Sequence, residues 1–326
     1  MPTAKRPFKP EVVLAYDLGG TKVAVGVVTA RGKVLEEIRT PVVFQEGKAA
    51  VIRQLGELGA ELLKRYPAIR KIGIASAGPL DPDQGILLDP TNFASKKGTW
   101  GNTPLASLLR KKLKYPIYLE NDAAAAMLAE HWVGRAKKYK NAMILTLGTG
   151  LGTGIIVNGE LVRSGRGLHP EAGHIIIRAG DETAPCGCGN LGCAEAFLSG
   201  RNFSRRARTR FANPNLTAKD IAEVARSKRD PRALAAFSEY AEMMAVAISN
   251  YVRLYAPEII VLTGSFAEAA DLFVPATRQT LKRMLEKQRI GDLMPEIEVS
   301  SLNNEAGIIG GAYVALTRSN AASARN

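Results

Sequence analysis

Residues able to hold a metal ion crowd into one short stretch of this chain. His169 to Glu195 reads HPEAGHIIIRAGDETAPCGCGNLGCAE and contains every cysteine, Cys186, Cys188 and Cys193, of a 326-residue sequence. Three soft thiolates with one nearby imidazole make a Cys3His set, the donor chemistry of a tetrahedral structural zinc site. Two imidazoles are candidates, His169 and His174. A closed four-ligand site leaves no position for a reactive water, so the ion is expected to brace a loop. Glu171 and Glu195 flank that loop, and carboxylates fixed in this way suit the gripping of sugar hydroxyls.

A second chemical candidate is Asp122, in YLENDAAAAMLAEH (Tyr118 to His131). A strand ending in Glu120-Asn121-Asp122 before an Ala-rich helix puts Asp122 near the helix N terminus, where it could act as a cap. The functional alternative is a base that takes the proton of a hydroxyl attacking a phosphoryl group. Phosphate itself has two candidate cradles, the glycine-rich turns Asp17-Leu18-Gly19-Gly20-Thr21-Lys22 and Gly148-Thr149-Gly150-Leu151-Gly152-Thr153-Gly154. Neither is a Walker loop or a Rossmann fingerprint, because the second alternates glycine and leads into a strand. Backbone N–H groups in such turns can face phosphate oxygens, since glycine tolerates close approach.

The elements that must carry these groups show a coarse duplication. Val12 to Leu35 reads as a buried strand, a glycine turn, a second strand and, after Arg31-Gly32, a third. Ala142 to Val162 repeats that plan, with Asn158-Gly159 as the hairpin turn. Each half later adds an apolar strand, Lys71 to Gly78 in the first and Glu258 to Gly264 in the second. Helices are expected over Lys48–Arg65, Leu105–Leu113, Ala123–Trp132, Leu198–Phe211, Pro231–Tyr255 and Ala270–Gln288. The pattern implies two similar α/β domains facing one another across a cleft, with one glycine turn in each.

Composition narrows the class of protein. With 46% hydrophobic and 23% charged residues the chain belongs with ordinary globular proteins, not with disordered or fibrous ones. No apolar run approaches the roughly 18 residues of a bilayer helix, so a cytoplasmic protein with no membrane association is expected. Disulfides are uncommon there, which favours metal for the clustered cysteines. The excess of 44 Lys+Arg over 31 Asp+Glu gives a net charge of +13. Basic runs such as Arg201 to Arg210 are scattered among acidic residues without interleaved aromatics, so they read as solvated helix faces and no nucleic-acid partner is expected.

The motifs DLGGTK, SAGPLD, LENDAAAA, LGTGLGTG, HPEAGH and CGCGNLGCAE run in that order along nearly the whole chain, and together they resemble the ROK family of sugar kinases and sugar-responsive repressors. The resemblance implies an actin-like ATPase (ribonuclease H-like) fold and transfer of a phosphoryl group from MgATP to a hexose. It makes Asp122 the catalytic base and Asn92, Asn121, Glu171, His174 and Glu195 sugar-binding residues, with His174 also the fourth zinc ligand beside Cys186, Cys188 and Cys193. Asp17, Gly19, Gly20, Thr21 and Lys22 match the first phosphate segment; Gly148, Thr149, Gly150 and Gly152 match the second, and Gly264 falls in the adenosine segment. The cysteine motif is of the glucokinase kind, whereas His169-Pro170-Glu171 is similar to fructokinase-like members. Glucose is therefore expected first, with fructose, mannose or an N-acetylated hexosamine behind it, and ATP ahead of polyphosphate as donor. About a dozen residues precede the first strand, too few for a repressor's helix-turn-helix. The implied domains are 1–121 with a C-terminal helix over 306–320, and 122–305 with the zinc loop; the implied assembly is a homodimer or homotetramer.

Overall fold

The computed structural model describes residues 11–90, 93, 98–165, 167–211 and 213–318. They form two compact units, one from the described residues of 1–133, 165–168 and 305–326, the other from 134–164 and 169–304.

In the first unit, β1 (Val12–Leu18), β2 (Lys22–Thr29) and β3 (Val34–Pro41) form an antiparallel meander. After α1 (Lys48–Arg65), β4 (Ile72–Ser76) pairs parallel to β1. Three short strands, β5 (Leu80–Asp81), β6 (Ile86–Leu88) and β7 (Asn102–Thr103), make a separate small sheet. Then α2 (Leu105–Leu113) leads to β8 (Ile117–Asn121), parallel to β4, and to α3 (Asp122–Trp132). The second unit repeats the scheme with β9 (Ala142–Leu147), β10 (Leu151–Val157) and β11 (Glu160–Leu161). Four helices follow: α4 (Ala194–Leu198), α5 (Gly200–Arg208), α6 (Ala218–Lys228) and α7 (Pro231–Tyr255). The parallel strands β12 (Ile259–Thr263) and β13 (Glu296–Val299) enclose α8 (Ala270–Lys287) in sequence. The helix α9 (Ala306–Thr317) returns the chain to the first unit. The sheets read β3-β2-β1-β4-β8 and β11-β10-β9-β12-β13, so the duplication visible in the sequence is a duplication of topology.

Strand β1 shows why these apolar runs are strands buried on both faces. Successive side chains of a strand point to opposite faces. Leu14, Tyr16 and Leu18 join the core beneath α1 and α2, while Val13 and Ala15 join Ile308, Ala312 and Ala315 of α9. Small residues let α9 lie close: a Cβ on Gly310 would collide with the Ala125 carbonyl of α3. That contact keeps α3 in the first unit, so the division falls at Val133/Gly134 and not after residue 121 as expected.

Most helix expectations match the structure, with α1, α2 and α7 agreeing at both ends. The helix expected over Leu198–Phe211 is broken at Ser199, which ends α4 and caps α5 by accepting the Asn202 N–H at 3.2 Å. The helix expected over 306–320 is described to Thr317; residues 319 and 320 lie outside the described residues. No helix among the described residues is long and apolar enough to cross a membrane.

Candidate functional site

The first unit gathers one group of expected site residues. Asp17 is the next-to-last residue of β1, and its half-buried carboxylate is pushed up to about 7, first by burial and then by the negative charge of Asp122, against the Arg39 guanidinium. Asp17 and Asp122 therefore lie within electrostatic reach of one another. Gly307 in the first turn of α9 faces the same carboxylate: a Cβ there would stand 2.5 and 2.7 Å from the Asp17 oxygens. Beyond β1 the turn closes with the Gly19 N–H donating to Lys22 O at 3.1 Å. The N–H groups of Gly20 and Thr21 have no acceptor among the described residues, as a phosphate cradle requires.

The cap of α3 is Asn121, not Asp122. Asn121 Oδ1 accepts the N–H groups of Ala123 and Ala124 at 2.9 and 3.1 Å, and Asp122 is the first helical residue. Capping therefore does not account for Asp122, although its Oδ1 accepts the Ala123 N–H at 2.8 Å. Behind them Glu120, 1% exposed, accepts the Asn121 N–H at 2.9 Å and pairs with Arg318 at 3.2 Å; Arg318 also donates to Pro82 O at 2.8 Å. Arg318 carries no signal in the sequence, since it follows α9, far from this motif. Asn92 lies outside the described residues.

The second unit gathers the rest. In its glycine turn the Gly148 N–H donates to Gly150 O at 3.1 Å, the Leu151 N–H to Glu195 Oε2 at 3.0 Å and the Gly152 N–H to Thr146 Oγ1 at 3.1 Å. These amides are engaged, which narrows the expected cradle to Thr149 and Gly150, whose N–H groups have no acceptor among the described residues. Gly264, at φ +88°, packs its backbone on Leu147, where a Cβ would stand 2.5 Å from the carbonyl oxygen. The expected adenosine segment and the second turn are thereby neighbours.

The four expected metal ligands do converge: the donor atoms of His174, Cys186, Cys188 and Cys193 all lie within 4.8 Å of one another. His174 Nδ1 is 3.4 Å from Cys186 Sγ, and the Cys188 and Cys193 sulfurs are 3.7 Å apart. Zinc–sulfur bonds of about 2.3 Å put tetrahedral ligand atoms about 3.8 Å apart, so the donor set and spacing fit. His169 instead sits 3.8 Å from Glu171 Oε1, outside that set. Burial pushes the Cys186 and Cys193 thiols up, whereas the Asn190 N–H and the neighbouring thiols hold Cys188 down against its own burial. Glu171 precedes the short turn Ala172–His174 with its side chain 53% exposed. Glu195, in α4, places Oε1 3.5 Å from Cys186 Sγ. The basic run on and just after α5 is largely engaged within the unit: Arg205 and Arg206 both donate to Thr183 O in the cysteine loop, and Arg206 and Arg210 pair with Glu239.

The model of the ROK family matches residues 13–318. A glucokinase of Thermotoga maritima is 30% identical over 315 residues, 93% of this chain and 96% of that protein. The crystal structure of a ROK hexokinase from Thermus thermophilus superposes with a TM-score of 0.79 at 31% identity, covering 94% of this chain and 98% of the other. That of a ROK family glucokinase from Streptomyces griseus, in complex with glucose and AMPPNP, gives 0.78 at 28% identity, covering 94% and 100%. The fold is the actin-like ATPase fold of those sugar kinases.

Proposed function

The chain belongs to the ROK family, and from that premise we propose that it is an ATP-dependent hexose kinase that phosphorylates the 6-hydroxyl of glucose, with Asp122 as the general base. The observation that carries this reading is the pairing of Asp122, half-buried as the first residue of a helix already capped by Asn121, with Asp17 at the adjoining glycine turn. ATP supplies the γ-phosphoryl group, with Mg2+ neutralising its charge. Asp17 is the carboxylate suited to the cation, directly or through water. Asp122 orients the sugar hydroxyl and takes its proton as the oxygen attacks. The amides of Gly20, Thr21, Thr149 and Gly150, without an acceptor among the described residues, serve phosphate oxygens, Lys22 adds positive charge, and Gly264 holds the adenosine segment close against the second turn.

Asn121, Glu171, His174 and Glu195 hold the sugar hydroxyls, Asn92 completing the set. His174, Cys186, Cys188 and Cys193 bind a structural zinc ion that fixes the loop leading into Glu195. The similarity to the Thermotoga maritima and Streptomyces griseus glucokinases supports glucose as first substrate. A cytoplasmic homodimer or homotetramer without a nucleic-acid partner completes the proposal.

The test is a coupled ADP-release assay over glucose, fructose, mannose and N-acetylated hexosamines, with ATP and with polyphosphate. Sugar-dependent turnover fastest with glucose and ATP is expected. Absence of turnover with every hexose and either donor refutes the proposal.

A further inference from the structure

Glu195 makes a contact that sugar binding does not require. Its Oε2 accepts the Leu151 N–H at 3.0 Å and occupies the space beside Gly150, where a Cβ would stand 2.6 Å from that oxygen. A few residues on, the Gly200 N–H donates to Gly148 O at 2.8 Å. The segment α4–α5 thus grips both ends of the turn Gly148–Leu151, and the two amides between them, without an acceptor among the described residues, are open to an anion. The grip is internally braced: Glu195 O accepts the Ser199 N–H and the Asn202 side-chain amide, both at 3.1 Å, and Asn202 is 7% exposed. An acceptor oxygen fixed in this way holds the direction of the backbone amide that donates to it.

We infer that Glu195 is a positioning residue for the nucleotide: through Leu151 it fixes the second glycine turn so that the Thr149 and Gly150 amides face phosphate, whether or not sugar is bound. This rests on the kinase reading and extends it, because one carboxylate then serves both the sugar and the phosphate cradle. A carboxylate has room for both, with two oxygens and about four lone-pair sites. Glu195→Gln keeps an acceptor oxygen for Leu151 while losing the charge; Glu195→Ala loses both.

The experiment is calorimetric binding of Mg–AMPPNP without sugar, with amide hydrogen exchange at Leu151, on the full-length protein as purified. Glu195→Gln is expected to bind nucleotide within about twofold of wild type, and Glu195→Ala about tenfold more weakly with faster exchange at Leu151. Both variants should bind glucose more weakly. Gly150→Ala, which drives a methyl group against Oε2, should reproduce the nucleotide loss and guards against a Glu195→Ala protein that does not fold. Nucleotide affinity and Leu151 protection unchanged in Glu195→Ala would overturn the inference, as would equal losses in Ala and Gln. Wild-type protein that binds no nucleotide would overturn the kinase reading instead, and Leu151 exchange alone then decides whether Glu195 holds the turn.

Discussion

Gly307, in the first turn of α9, stands directly against the carboxylate of Asp17, so that any side chain at 307 would displace one of the two. The helix backbone can come this close to the acid because glycine carries no side chain there. Gly307→Ala should therefore destabilise the first unit by about 1–3 kcal/mol and depress turnover more strongly than glucose affinity. Urea unfolding and steady-state kinetics on the same preparation check both, and a variant with wild-type kinetics would free Asp17 from this constraint.

The titration of Asp17 has a definite sign. Its folded value of about 7 lies above the ordinary carboxylate range, so between about pH 4 and pH 7 the folded protein binds the extra proton. That contribution to stability is full below the unfolded value and disappears as pH rises through the folded one. Wild-type protein without nucleotide should lose stability across this window relative to Asp17→Asn, whose difference curve should flatten above pH 7. Melting temperatures from pH 4 to 8 measure it; parallel curves would show that Asp17 ionises normally.

Asp122→Asn should lower kcat by about 10²–10⁴-fold while glucose affinity and melting temperature stay near wild type. The cap of α3 is intact in this variant because Asn121 supplies it. Near-normal turnover would remove Asp122 as the base.

Cys188→Ser should abolish bound zinc, measured by elemental analysis, and weaken glucose binding together with it. The exposed position of Cys188 makes a packing defect a poor explanation for such a loss. A variant that keeps metal and sugar would refute the Cys3His assignment.

Arg318→Ala removes the charged partner recorded at 3.2 Å from a carboxylate that is 1% exposed and also accepts the Asn121 N–H. Because the arginine side retains some contact with water, a loss of about 2–4 kcal/mol is expected, toward the lower part of the range for a broken buried pair. The double variant Arg318→Met with Glu120→Gln should recover part of it.

The sequence carried most of the scaffold because its apolar runs are long and regularly spaced. β1 is seven residues of nearly unbroken burial, and α7 begins with Pro231 after the cap Asp230, a start signal that needs no tertiary context. The helix α6 went unrecognised although Thr217 and Asp220 form a reciprocal capping box, the signal that could have found it. The strands β5 and β7 have two residues each, too few for any periodicity. At the site, residue types and spacing sufficed to group the three cysteines with an imidazole, all local in sequence, but not to choose His174 over His169, which the resemblance favoured and the converging donor atoms agree with. They did not suffice for Asn121 against Asp122, where two neighbouring residues can each cap and only the backbone turn decides. Nor did they reach Arg318 or the bond from Glu195 to Leu151, which are long-range contacts with no local pattern.

The return of α9 to the first sheet also sets an order of events at the ribosome. Val13, Ala15, Ala24 and Val28 emerge before the second unit, yet the helix that covers them is translated only after it. At about 5–20 residues per second, that nascent sheet waits on the order of tens of seconds with one greasy side uncovered, while the later half can already collapse. The window is where a chaperone would engage this polypeptide, and a nonsense codon ahead of α9 would leave an aggregation-prone fragment with that side bare.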